Sequence, residues 1–228
     1  MKNIGGMPQL AALLSFNGGF IDTAGFLGLH GLFSAHVTGN FVTLGAALVF
    51  GMHGIIGKLL ALPEFILVIV FARLAGTALR ARQAPVLRVM LVATGLLLLA
   101  FFLLAVCCGP FSDPDRPIAL LTGFTAVAAM AVQNGLQRIH LAHLPTTTIM
   151  TGNSTQFSVD LADLLLVPPA ARTPETRLRF ARLATAMVTF IAGCAASAFL
   201  YWLWGFWSLA LPVIVAAIAA ALPLDPEH

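Results

Sequence analysis

VTGNFVTLGAAL (residues 37–48) and MTGNSTQFSVDL (residues 150–161) each place a Thr-Gly-Asn tripeptide at the head of a short apolar run. The tripeptides start at Thr38 and Thr151, 113 residues apart in a chain of 228. That spacing is close to half the length, and self-similarity at a fixed period implies a duplicated unit. In a membrane chain such a duplication points to a transport-type fold whose site lies where the copies meet.

Composition makes it a membrane chain. Hydrophobic residues are 59% of the sequence and charged residues 9%, against about 25% charged in soluble domains. Residues 89–108 carry no charge, a length that crosses a hydrocarbon core about 30 Å thick. Residues 184–222 form a second uncharged tract, interrupted by Gly205 and Pro212. The expected fold is an all-α polytopic membrane protein. Residues 1–109 form one repeat, 110–117 a linker and 118–228 the second repeat, in one membrane domain. The first apolar run lacks a cleavage site and is expected to stay as a helix.

Eight apolar segments follow, near 9–29, 39–57, 62–79, 86–108, 118–138, 151–167, 180–202 and 206–222. Pro63-Glu64 reads as the start of the third, and Thr173-Pro174-Glu175 as a helix start. Pro168-Pro169 reads as the end of the sixth. The Thr-Gly-Asn segments are the weakest spans, since runs of about 10–14 apolar residues suit re-entrant helices better than crossings. Loop charges agree. With eight crossings and a cytoplasmic N-terminus, seven Lys and Arg lie inside and four outside. With the Thr-Gly-Asn segments dipping in and returning, nine lie inside and only Lys58 and Arg116 outside. Positive residues favour the cytoplasm, so three crossings per half and an inverted second half are expected. The alternative is eight crossings in parallel repeats.

A helix that begins inside lipid has amides that no water satisfies. Thr and Asn cap such amides, and the positive helix end attracts anions. Thr38, Gly39 and Asn40, with Thr151, Gly152 and Asn153, are therefore expected as donor ends of a solute site. Asn153, Gln156, Asp160 and Asp163 share one helical face. A carboxylate at membrane depth counts as a functional candidate, and burial would raise its pKa. Asp160 and Asp22 are the coupling candidates. Asn134, next to Gln133, sits 17 residues before the second motif, against 16 for Asp22 before the first, and both amides are expected to supply side-chain hydrogen bonds. Asn17 and the glycines around Asp22 suggest a broken or tightly packed first helix.

Other features carry less. Ala72 with Gly76 and Gly193 with Ser197 are small pairs for close helix packing. Arg73 is a candidate partner for Asp22. His30, His36, His140 and His143 read as loop or interface histidines rather than metal ligands. Cys107, Cys108 and Cys194 read as buried inert thiols. Trp202, Trp204 and Trp207 fit an interfacial belt. No HExxH or GxSxG occurs, so an intramembrane enzyme is the weakest reading. The net charge of +3 is small, so nucleic acid is not expected as a partner. The expected partners are the bilayer and a small solute or ion, with small-residue faces that permit a homo-oligomer. No cofactor is expected.

The blocks GGFIDTAGFLGLHGLFSAHVTGNFVTLG and AVQNGLQRIHLAHLPTTTIMTGNSTQFSVDLADLL resemble the two halves of the YoaK-like family. These are bacterial inner-membrane proteins grouped by a domain of unknown function, number 1275. The resemblance covers essentially the whole chain and implies a multi-pass protein with no known cofactor. Relatives place Thr or Ser where this chain has Asn153. Two readings follow: a secondary transporter or channel for a small polar or anionic solute, or a non-transporting scaffold.

Overall fold

The structure is a computed structural model that describes residues 6–166, 168 and 173–224. It contains eight α-helices among the described residues. They are α1 (Met7–Gly28), α2 (Gly39–Phe50), α3 (Ile55–Ala81), α4 (Val86–Cys108), α5 (Pro117–His140), α6 (Met150–Leu166), α7 (Pro174–Trp204) and α8 (Ala210–Ala221). A 3-10 turn, Gly205–Leu209, joins the last two. Five helical stretches are long and apolar enough to cross a bilayer: α1, α3, α4, α5, and the run Pro174–Ala221 through α7 and α8. Large apolar side chains such as Phe71, Val49 and Leu165 are exposed on the outside, as a lipid-facing surface requires. The chain is a polytopic helical membrane protein.

Helix ends gather at two poles. At one, Arg88 at the start of α4 donates from Nη2 to the Leu222 carbonyl just beyond α8, at 2.9 Å. Gly6, ahead of α1, abuts Pro223. Pro8 of α1, Leu144 after α5 and Arg182 near the start of α7 line one hollow. At the other pole, Lys58 of α3 donates to the carbonyl of His30, just beyond α1, at 2.9 Å. Gly28 of α1 and Gly109 after α4 both pack on Phe206. The first pole carries Arg80, Arg82, Arg88, Arg138, Arg177, Arg179 and Arg182. The second carries Lys58, Arg116 and the exposed Trp202, Trp204 and Trp207.

This placement settles how α2 runs. Its 12 residues span about 18 Å. The end of α1 and the start of α3 lie at the same pole, so the segment between them leaves and returns there. The left-handed Gly51 (φ 63°) ends α2, with the Met52 amide on the Ala47 carbonyl at 2.8 Å. α3 begins at Ile55, with Pro63 inside it, which corrects the start expected at Pro63-Glu64. Asp115 provides the reason. Its carboxylate accepts from the Gly54 amide at 3.0 Å and the Ile56 amide at 3.1 Å, capping α3 from some sixty residues away. The expected start at Thr173 holds: its hydroxyl accepts from the Thr176 amide at 3.3 Å. α6 ends just before Pro168; Pro169 lies outside the described residues.

The packing partners follow a rule. α1 packs on α7 and α5 on α3; α2 packs on α3 and α6 on α7; α4 packs on α5 and α8 on α1. α1 meets α5, and α4 meets α8. Exchanging the first four helices with the last four leaves this set unchanged, although α3 also touches α4 while α7 and α8 each pack on the 3-10 turn between them. α1 and α5 run in opposite directions between the poles and are the most buried of the crossing helices, whereas α3 is the least.

α1 is continuous and tightly packed rather than broken. A Cβ at Gly19 would overlap the Phe190 carbonyl oxygen of α7, and one at Gly193 the Phe16 carbonyl oxygen of α1. The two backbones therefore touch, the arrangement that small residues permit in lipid. The pair Ala72 and Gly76 makes no such crossing; a Cβ at Gly76 would meet only the Val86 side chain.

Gly19→Leu and Gly193→Leu are each expected to lower the thermal midpoint of the detergent-purified protein, overpacking costing about 1–3 kcal/mol or more. Gly45→Leu, where a Cβ meets nothing within 4 Å, is expected to leave it unchanged within about 0.5 kcal/mol. Equal shifts for all three would refute the backbone crossing.

Candidate functional site

Two irregular loops precede the short helices: residues 29–38 ahead of α2 and 141–149 ahead of α6. Parts of both are buried, among them Ser34, Ala35, Thr147 and Thr148, where an unpaired group is costly. The first loop is bound by Asp22, one and a half turns before the end of α1. Its Oδ1 accepts from the Ser34 amide at 2.8 Å and the Ala35 amide at 2.6 Å. Its Oδ2 accepts from the His36 amide at 3.1 Å. Asn40 closes the loop from the other end. Its Oδ1 accepts from the Phe33 amide and its Nδ2 donates to the Phe33 carbonyl, both at 2.8 Å.

The second loop repeats the device. Asn153 Nδ2 donates to the Thr146 carbonyl at 2.8 Å, and its Oδ1 accepts from the Thr146 hydroxyl at 3.0 Å. Each motif Asn thus grips the residue seven positions before it. In place of Asp22, α5 supplies amides. Asn134 Oδ1 accepts from the Thr148 hydroxyl at 2.6 Å. Gln133 Nε2 donates to the Leu14 carbonyl of α1 at 2.9 Å and to the Thr147 hydroxyl at 3.4 Å. Gln137, one turn on, donates to the Leu141 carbonyl at 3.0 Å and the Pro145 carbonyl at 3.2 Å.

Both loops meet the middle of α1. Gly18 of α1 lies against the Thr147 carbonyl, one turn from Asp22, which holds the first loop. Asp22, Asn40, Gln133 and Asn153 are all buried, with Asn134 partly so. Several buried oxygens nearby have no hydrogen-bond partner among the described residues: Asn17 Oδ1, Gln133 Oε1, and the hydroxyls of Ser15 and Ser34. Each such atom costs about 1–3 kcal/mol if left dry. Their common chemistry is to accept a hydrogen bond.

Several expected roles change. The first amides of α2 are already taken: Gly39 donates to the His36 carbonyl at 2.9 Å, and Asn40 and Phe41 to Val37 and Thr38 at 3.2 Å. Thr38 precedes α2 without a side-chain cap bond and is exposed. Backbone carbonyls of the loop do the capping, so the α2 tip offers no free donors. The second tip differs. α6 starts one residue before Thr151, Thr151 and Gly152 are exposed, and a Cβ at Gly152 meets nothing within 4 Å.

Asp160 is not a free carboxylate. Arg179 donates to both its oxygens, from Nη2 at 2.6 Å and Nε at 2.8 Å, and Gln156 donates at 2.8 Å. Asp160 is covered because Arg179 lies over it; Arg179 itself is half exposed. The Arg179 guanidinium holds the Asp160 carboxyl below the usual carboxylate range, against the upward push of burial and with help from Gln156. This reverses the direction expected for a proton-coupling group. Asp163 is exposed. Arg73 is exposed on α3, while the Asp22 carboxylate is bound by loop amides, so the pairing of the two does not form. Cys107 and Cys108 are exposed rather than buried. His30 Nε2 lies 2.7 Å from the Phe111 carbonyl. No cluster of His, Cys, Asp or Glu suited to a metal occurs among the described residues.

Crossing helices, two short helices headed by bound loops and a polar interior define a multi-pass integral membrane protein. The chain belongs to the family described as "Protein of unknown function (DUF1275)", whose model matches residues 10–222. It is similar to the UPF0700 transmembrane protein YoaK of Bacillus subtilis (strain 168), with 26% identity over 165 residues, 72% of this chain and 71% of that protein. No solved structure matches it.

Asp22→Ala removes the acceptor of three amides and is expected to cost about 3 kcal/mol or more. Hydrogen exchange at Ser34 to His36 reports the release directly. The Asp160–Arg179 pair has the opposite signature from a coupling site. Its stabilisation is present above the ordinary Asp range, near about 3.9, and is lost as pH falls through the lowered folded value. The thermal-midpoint gap between wild type and Asp160→Asn is therefore expected to stay constant from pH 8 to about pH 5 and to close below about pH 4. A gap that opens on acidification would refute the pairing.

Proposed function

We propose that the protein is a secondary transporter or channel for a small polar solute, working in the bacterial inner membrane with a cytoplasmic N-terminus. It is not an enzyme. The observation that carries this reading is the meeting of two partly buried, non-helical loops at the middle of α1, beside oxygens that have no partner among the described residues. Irregular backbone at membrane depth belongs where it is enclosed by protein or lines a polar path. Orphaned acceptors at 0–1% exposure are sites for water or a guest that donates.

That chemistry narrows the solute. The α2 amides are used and Asp22 carries a carboxylate, so the interior disfavours an anion. The available groups accept hydrogen bonds, which suits a solute bearing N–H or O–H. Inverted repeats are supported by the opposite directions of α1 and α5 and by the exchangeable packing. The cytoplasmic N-terminus is supported by the pole where α1 begins, which carries seven arginines among the described residues. Asp22 and Gln133 then act as latches, each holding a loop whose movement opens the path from one side.

One observation favours the scaffold reading: every motif side chain except the two threonines is spent on its own loop or left as backbone. A flux measurement separates the readings. Protein reconstituted in liposomes is expected to speed entry of at least one solute from a labelled set of amides, amino acids and polyols. Gln133→Leu, which deletes both the latch and the orphaned oxygen, is expected to slow that entry by about tenfold or more, the effect of losing roughly 1.4 kcal/mol or more. Folded protein that moves none of the set, or flux untouched by Gln133→Leu and Asn17→Leu, would refute the transport reading.

A further inference from the structure

A second polar feature lies away from the loops, on the lipid-facing side of the arginine pole. Between α3, α4 and α5 is a cavity of about 120 Å³, lined by Arg73, Gly76, Thr77, Arg80, Val86 and His140 among others. Its volume is about four times that of a water molecule in the liquid, near 30 Å³, room for a tetrahedral oxyanion. Arg73 and Arg80 are seven residues apart and so share one face of α3. Both are exposed, and neither guanidinium has a hydrogen bond or ion pair to another described residue. Among the described residues no acid lines the cavity. Gly76 forms its floor, with only the Val86 side chain near its missing Cβ, at 3.3 Å.

The surroundings identify the guest. Arg73 lies eight residues inside the end of α3, about 12 Å along the axis, on a face that exposes Ile66 and Val70. A bare guanidinium there is costly in lipid. An ion arriving from water would leave the apolar flank uncovered. A phospholipid brings a phosphate to the interface and acyl chains to that flank. The pole also carries the positive residues that mark the cytoplasmic leaflet, and basic hollows between helices on that side suit anionic headgroups.

We infer that the α3–α4–α5 cavity binds the phosphate headgroup of an anionic phospholipid, clamped by Arg73 and Arg80. This site does not depend on the transport reading.

Native mass spectrometry of the full chain in detergent tests it, with titration of dioleoyl phosphatidylglycerol and of dioleoyl phosphatidylcholine. The anionic lipid is expected to bind roughly thirtyfold more tightly, about one kcal/mol for each arginine. Arg73→Gln with Arg80→Gln removes the preference. Gly76→Leu, which fills the floor and keeps both charges, removes it too. Arg116→Gln, at the opposite pole, keeps it. Equal binding of the two lipids by wild type overturns the assignment, and this comparison needs no variant to fold. A preference that survives Gly76→Leu overturns it in favour of diffuse charge attraction. Displacement of the lipid by inorganic phosphate at equal concentration overturns it in favour of a soluble anion.

Discussion

An unpaired amide shut away from water is costly, and this protein folds two stretches of irregular chain against its innermost helix. The three bonds from Ser34, Ala35 and His36 to Asp22 answer that constraint for the first loop. Gln137 and Asn153 answer it for carbonyls of the second, at Leu141, Pro145 and Thr146. Everything else near the middle of the molecule follows from keeping those loops in place. Asn40 and Asn153 reach back seven residues to fasten the loops ahead of α2 and α6. Gly18 must lack a side chain so that the second loop can lie against α1.

The two loops are held by different chemistry. A carboxylate binds three amides in the first, whereas neutral amides bind hydroxyls and carbonyls in the second. A carboxylate bound by several amides is a strong acceptor, so the first loop is the more firmly tied. The second has an exposed helix tip at Gly152, and α6 leans on α7 through the stacked Phe157 and Phe180, with ring centroids 4.5 Å apart, and through Asp160–Arg179. The halves thus share a packing plan and differ in how their loops are held.

Charge does two jobs at separate places. Inside, Asp22 is consumed structurally and Asp160 is neutralised at the surface, so neither carboxylate stands open in this conformation. At the arginine pole, the opposite holds: Arg73 and Arg80 stand open toward lipid. Membrane depth makes both facts physical rather than incidental, since an unpaired ion is stable only at an interface or beside a counter-ion.

From the sequence alone, the membrane class, the eight helices, the poles and the doubled motif were legible, because apolar length, loop charge and the Thr-Gly-Asn repeat are local signals. Asp22, Gln133 and Asn134 were legible as important, since a polar group in an apolar run stands out. Their work was not. That Asp22 holds residues 34–36, that Asp115 caps α3, and that Arg179 covers Asp160 are contacts between segments distant along the chain. Only the tertiary structure could decide them, because a hydrogen bond depends on where two groups lie in space, and periodicity records only which way each one faces.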